Sequence, residues 1–210
     1  MPPLHAILDV DAAAAAGWAP LALAGCFFDG GATVVQLRAK QLASGPLLDL
    51  AEALVALGQP YSAQVIVNDR VDVAVLSRAA GAHVGQDDLA PVDARSQLGP
   101  EAILGVSTHD ERQLARAAQE PVTYIAVGPI FGTRTKDTGY AAVGLDLVRA
   151  ARRLAPAFPI VAIGGITLET APAVLDAGAT AVAVIGDLLS TGDPRARVER
   201  YVQNLGPHRV

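Results

Sequence analysis

The chain has 210 residues, a formal net charge of −5, and a composition that is 51% hydrophobic but only 4% aromatic. So acidic a chain, with no basic stripe, argues against a nucleic-acid partner, and so apolar a chain excludes disorder. Its one cysteine, Cys26, can form no internal disulfide, which fits a reducing compartment.

The N-terminus lacks a basic stretch followed by an apolar one, so no signal peptide is expected. The longest apolar run, Ala19 to Phe28, is too short to cross a bilayer. A cytoplasmic protein without a membrane partner is therefore expected. The length suits one domain spanning 1–210.

Alternating short apolar runs and amphipathic segments predict strands near 4–9, 33–37, 64–68, 82–85, 103–107, 123–128, 160–164 and 181–186. Helices are predicted near 18–29, 46–58, 70–80, 92–98, 109–119, 145–155, 168–177 and 194–204. Strand then helix, eight times over, reads as an α/β fold: a (β/α)8 TIM barrel with short loops. The alanine tract from Ala12 to Ala16 falls between the first strand and first helix and is given no function. Thr108 with Glu111 has the form of a capping box, and Asp193-Pro194 that of an N-cap before a first-turn proline. Gly30-Gly31-Ala32-Thr33, Ala80-Gly81-Ala82-His83 and Ala177-Gly178-Ala179-Thr180 each read as a left-handed glycine handing a helix over to a strand.

Most of the apolar runs end in polar or glycine residues, which places the chemistry at the strands' C-terminal ends. Asp69 and Asp88 follow neighbouring strands. A carboxylate pair without a Cys or His cluster suits Mg2+ bound together with a phosphorylated ligand, the bland alternative being helix caps. Gln36, Arg38 and Lys40 alternate, so an extended chain points two cations and an amide the same way. Such a set can receive an anion, or can be an ordinary solvated strand exit. The long segment from Gly128 to about Gly144 offers Thr133, Thr135 and Lys136 to an anion and is a candidate lid. Gly164-Gly165 and Gly186 follow the last two strands, where barrels often cradle phosphate on backbone N–H groups. His83 reads as barrel filling, and His109, in a first helical turn beside Ser107, as a candidate proton carrier.

Taken together, Gln36-Leu37-Arg38-Ala39-Lys40, Val67-Asn68-Asp69-Arg70, His83 to Asp88, Gly105 to His109, Gly128 to Lys136 and Ala162 to Ile166 resemble the thiamine-phosphate synthase family, from about residue 30 to 190. The resemblance implies a transferase. It joins 4-amino-2-methyl-5-(diphosphooxymethyl)pyrimidine to a thiazole phosphate, giving thiamine phosphate and pyrophosphate. It implies that Gln36, Arg38, Lys40 and Asn68 hold the pyrimidine diphosphate, that Ser107 contacts the pyrimidine, and that Asp69 and Asp88 hold Mg2+. It also implies that Thr133, Thr135, Lys136, Gly165, Ile185 and Gly186 hold the thiazole phosphate. Arg38, Lys40, Lys136 and Ser107 are the expected catalytic residues. Family members often carry serine at the position of Gly186 and proline at that of Gly132. The rival readings are a thiazole tautomerase working through His109, and a non-catalytic barrel that senses a phosphorylated ligand. Oligomeric state is not legible.

Overall fold

The computed structural model describes residues 1–132 and 141–206. Eight parallel strands close into a barrel in chain order: β1 Leu4–Asp9, β2 Val34–Arg38, β3 Gln64–Asn68, β4 Gly81–Val84, β5 Ile103–Thr108, β6 Tyr124–Val127, β7 Ile160–Ile163 and β8 Ala181–Val184. Closure is by β1 on β8, with Leu4 opposite Val182 and Ala6 opposite Val184. The helices are α1 Val10–Ala15, α2 Pro20–Asp29, α3 Ser44–Gly58, α4 Val71–Leu76, α5 Pro91–Leu98, α6 Glu111–Ala117, α7 Gly144–Leu154, α8 Ala171–Asp176 and α9 Pro194–Leu205.

Alternation along the strands sorts the side chains into two layers. Leu8, Val35, Leu37, Leu104 and Ile125 face outward and pack under the helices beside Leu23, Phe27, Leu54, Leu114 and Val148. Ile7, Val34, Ile66, Tyr124, Ala126, Val161, Ala181 and Ala183 fill the barrel.

Several local expectations need correction. The alanine tract is helical and forms α1, because the Asp9 carboxylate caps it by accepting from the Ala12 N–H at 2.8 Å. Alanine needs no amphipathic pattern to be helical, so periodicity alone passes over it. Helix α6 is capped by Asp110, not Thr108. Asp110 accepts from Gln113 N–H, and Gln113 Oε1 accepts from His109 N–H, both at 2.7 Å. Thr108 is fully buried and donates to Ala126 C=O. The Asp193 cap of α9 is present, accepting from Ala196 N–H. Gly31 and Gly178 do take left-handed backbone at φ +92 and +111. Gly81 is glycine for another reason: a Cβ there would stand 1.8 Å from Ile103 C=O, so glycine lets β4 approach β5.

Candidate active site

At the exits of β2, β3 and β4 the basic and acidic residues converge. Arg38, the last residue of β2, ion-pairs with Asp9 directly across the barrel wall, where the register sets the two opposite each other. Asp9 is 3% exposed, so the pair fixes the guanidinium at the mouth. Lys40, more exposed, reaches Asp69 Oδ2 at 3.2 Å. Asp69 takes left-handed backbone at φ +65, with its N–H bonded to His83 C=O at 2.8 Å. A non-glycine residue held in that region is strained, and such strain concentrates at working sites. Asp88 accepts from Gly85 N–H at 2.7 Å. Its carboxyl is pushed above the usual carboxylate range, chiefly by burial and then by the Asp69 carboxylate beside it. Two carboxylates close enough to oppose each other's charge, with Lys40 beside them, form an oxygen donor set that fits a hard dication. Among the described residues no cluster of three or more His, Cys, Asp or Glu is present.

Gln36, Arg38 and Asn68 line a narrow void of about 20 Å³ inside the barrel, together with His5, His83, Tyr124, Ser107 and apolar neighbours such as Ile7 and Val161. A second cavity, of about 300 Å³, opens at the exits of β5 to β8. Ser107, His109, Gly165, Ile185 and Gly186 are among its walls. Ser107, Ile163, Ala183 and Ile185 belong to both cavities, so the two are contiguous.

The glycine turn after β7 has a steric cause. Gly164 and Gly165 have φ +103 and +63, and a Cβ at either would lie 2.5 Å from Pro129 Cβ or Gly132 C=O. The turn is thereby packed against the segment after β6, with Phe131 N–H donating to Gly164 C=O. The far end of that loop returns to its start: Val143 N–H donates to Pro129 C=O and Gly144 N–H to Ile130 C=O. Thr133, Thr135, Lys136 and most of the expected lid lie outside the described residues.

Behind the cavity, Gly186 opens a single tight helical turn, Gly186–Leu189. Its Asp187 accepts from Arg197 Nε and Nη2, from Tyr201 Oη at 2.6 Å and from Leu168 N–H at 3.0 Å. Arg197 also meets Glu169 at 3.3 Å. Burial and the Asp187 charge push the Tyr201 phenol far upward. Helix α9 is thus bolted to both glycine-bearing exits. Sequence reading missed Asp9, Asp187 and Arg197, whose partners lie tens of residues away or on another element.

His109 differs from expectation. It precedes the α6 cap rather than sitting in the first turn, and its Nδ1 donates to Gly128 C=O.

A parallel eightfold barrel with a charged mouth and an open cavity at its strands' C-terminal ends defines a TIM-barrel enzyme of the kind that handles phosphorylated small molecules. The thiamine monophosphate synthase family profile matches residues 10–188. A thiamine-phosphate synthase of Koribacter versatilis is 46% identical over 84% of this chain and 82% of its own. One of a Synechococcus species is 45% identical over 83% of this chain, which spans 49% of that longer relative. The solved thiamine phosphate pyrophosphorylase of Pyrococcus furiosus superposes with a TM-score of 0.86 at 27% identity, covering 96% of this chain and 94% of that one. The chain belongs to the thiamine monophosphate synthase family, and its activity is that family's transferase reaction.

Among the described residues, no helix is long and apolar enough to cross a membrane.

Proposed function

We propose that thiamine phosphate synthesis by this chain divides the mouth between two phosphorylated substrates. The pyrimidine diphosphate occupies the exits of β2 to β5, and the thiazole phosphate the exits of β6 to β8. The observation that supports this reading is the 300 Å³ cavity at the exits of β5 to β8, with Ser107 in its wall, beside the charged exits of β2 and β3 that carry Arg38, Lys40 and Asp69.

Gln36, Asn68 and Ser107 grip the pyrimidine, and Arg38 and Lys40 face its diphosphate. Asp69 and Asp88 would hold Mg2+, which when bound neutralises charge on the diphosphate oxygens. The methylene C–O bond breaks and its electron pair leaves with pyrophosphate. The pyrimidine's amino group releases electron density into the ring and stabilises the cation left behind. The thiazole nitrogen then gives its lone pair to that carbon, forming the C–N bond. No protein nucleophile is needed. What the chain contributes is charge stabilisation by Arg38 and Lys40, placement of the two ring systems, and exclusion of water that would capture the cation.

On the thiazole side, backbone at Gly165, Ile185 and Gly186 takes the phosphate, with Thr133, Thr135 and Lys136 added from the loop. Thr133 directly follows Gly132, whose carbonyl packs on Gly165. The tautomerase reading has no use for Arg38, Lys40, Asp69 and Asp88 together.

The test incubates the protein with both phosphorylated substrates and Mg2+ and measures pyrophosphate and thiamine phosphate. Equimolar release of the two is expected, with a raised thiazole-phosphate KM in Lys136→Ala. Isomerisation of the thiazole phosphate without pyrophosphate would overturn the reading.

A further inference from the structure

A line of hydrogen bonds crosses the barrel interior beneath the mouth. His83 sits on β4 between Tyr124 of β6 and Ser107 of β5. Its Nδ1 is 2.8 Å from Tyr124 Oη, and its Nε2 is 2.8 Å from Ser107 Oγ. The two rings lie nearly parallel, their centroids 5.6 Å apart. Both residues are buried, Tyr124 at 1% exposure and His83 at 7%. The space they occupy exists because residue 105 is glycine. A Cβ there would stand 2.1 Å from Tyr124 Cζ and 2.5 Å from His83 Nδ1. Few arrangements are less tolerant of substitution, and a purely apolar filling would have done for packing alone.

The donors can be followed from one end. Complete burial pushes ionisation of the Tyr124 phenol well above its ordinary range, so it keeps its proton. The retained phenol proton points to its hydrogen-bonding neighbour at 2.8 Å, His83 Nδ1, which makes Nδ1 the acceptor. A neutral imidazole that accepts at Nδ1 carries its proton on Nε2 and donates it to Ser107 Oγ. The serine hydroxyl has then received a hydrogen bond from behind, and its own proton is left for the cavity.

We propose that Tyr124 and His83 are positioning residues that fix Ser107 as a hydrogen-bond donor toward a lone-pair acceptor on the pyrimidine diphosphate. Neither residue touches the reacting atoms; both act through Ser107. The inference rests on the reading of Ser107 as a pyrimidine contact. It adds that the polarity of that contact is set from inside the barrel.

The experiment is a double-mutant cycle with steady-state kinetics, joined to 15N NMR of the histidine rings in the full chain. Tyr124→Phe and Ser107→Ala are each expected to lower kcat/KM for the pyrimidine diphosphate by about tenfold, the scale of one lost hydrogen bond. The thiazole-phosphate KM stays within about twofold. The double variant is expected to fall no more than about twofold below Ser107→Ala alone, because the two residues act as a unit. Additive losses, a silent Tyr124→Phe beside an impaired Ser107→Ala, or an equal rise in both KM values would overturn the proposal. Silence of Ser107→Ala would overturn it too, by removing Ser107 from the pyrimidine site. The NMR arm holds even if Tyr124→Phe fails to fold: wild-type His83 must be the Nε2–H tautomer near neutral pH. A ring protonated on Nδ1 sinks the idea.

Discussion

Lys40 Nζ lies 3.2 Å from Asp69 Oδ2, so the basic exit of β2 and the acidic exit of β3 are already joined across the mouth. Lys40 is about half exposed and Asp69 about one-fifth. The pair is therefore screened and weak, on the order of 1 kcal/mol or less. It can be exchanged for stronger contacts when a diphosphate enters. Arg38 is held differently, by the buried Asp9.

The carboxylate pair gives the first prediction. Asp69→Asn and Asp88→Asn should each raise the Mg2+ concentration needed for half-maximal rate by at least about tenfold, while leaving the melting temperature nearly unchanged. Titrating Mg2+ against initial rate checks this. Full rate for both variants at low Mg2+ would rule out the pair as the metal site.

A second prediction separates synthesis from isomerisation. Departure of diphosphate needs cations and no obligatory base in its first step. Arg38→Ala and Lys40→Ala should therefore each cost about a hundredfold in kcat/KM. His109→Ala should keep a substantial share of the rate, its ring being tied to Gly128 C=O. Loss of activity in His109→Ala with nearly silent basic variants would favour the tautomerase.

The clamp behind the phosphate cradle gives a third. Arg197 and Asp187 are both largely buried, so Asp187→Ala leaves a buried guanidinium without its main counter-charge. Removing one partner of such a pair costs about 3–5 kcal/mol, which in a chain of this size lowers Tm by roughly 10 °C. At a temperature where the variant is folded, its KM for the thiazole phosphate should rise while that for the pyrimidine diphosphate holds. Equal increases in the two would mean that the clamp does not act through the Gly186 turn.

Acid stability offers a fourth. His5 is buried at the barrel's floor, its Nε2 makes no hydrogen bond, and burial followed by the N-terminal charge lowers its pKa to about 4. Between about pH 4 and 6.5 the unfolded chain binds a proton there that the folded chain refuses. Stability therefore rises with pH through that window and is fully present above it. A shift of this size corresponds to a few kcal/mol, on the order of 3. Replacing His5 by Leu should flatten the fall in Tm on acidification relative to wild type. Parallel Tm–pH curves for the two proteins would count against it.

The barrel was legible because its strands are buried on both sides and end abruptly: Val65-Ile66-Val67 meets Asn68-Asp69, and Ile160 to Ile163 meets Gly164-Gly165. The residues at the β2 to β4 exits were legible for the same reason, since chemistry-bearing side chains interrupt an apolar run. Helix α1 was not, because alanines carry no periodicity. Asp9 looked like the tail of a strand, and only the β1–β2 register reveals that it faces Arg38. Gly105 gave no turn signal either; its meaning lies in rings from β4 and β6 that fill the space beside it. Such facts depend on which strands become neighbours, and local pattern does not carry them.

The bolt from α9 to the Gly186 turn also sets an order in time. As the chain is made from its N-terminus, Asp9, Arg38, Asp69 and Asp88 are all available about a hundred residues before α9. Strand β1 waits for Ala181 to Val184 before its open edge is covered, and Asp187 waits still longer for Arg197 and Tyr201. A ribosome-bound chain halted before residue 197 has the residues of the β2 to β4 exits but lacks the partners that brace the Gly186 turn. A finished Gly186 turn therefore waits for α9 to be made. Until then the unpaired edge of β1 is what a chaperone, or a neighbouring nascent chain, would meet.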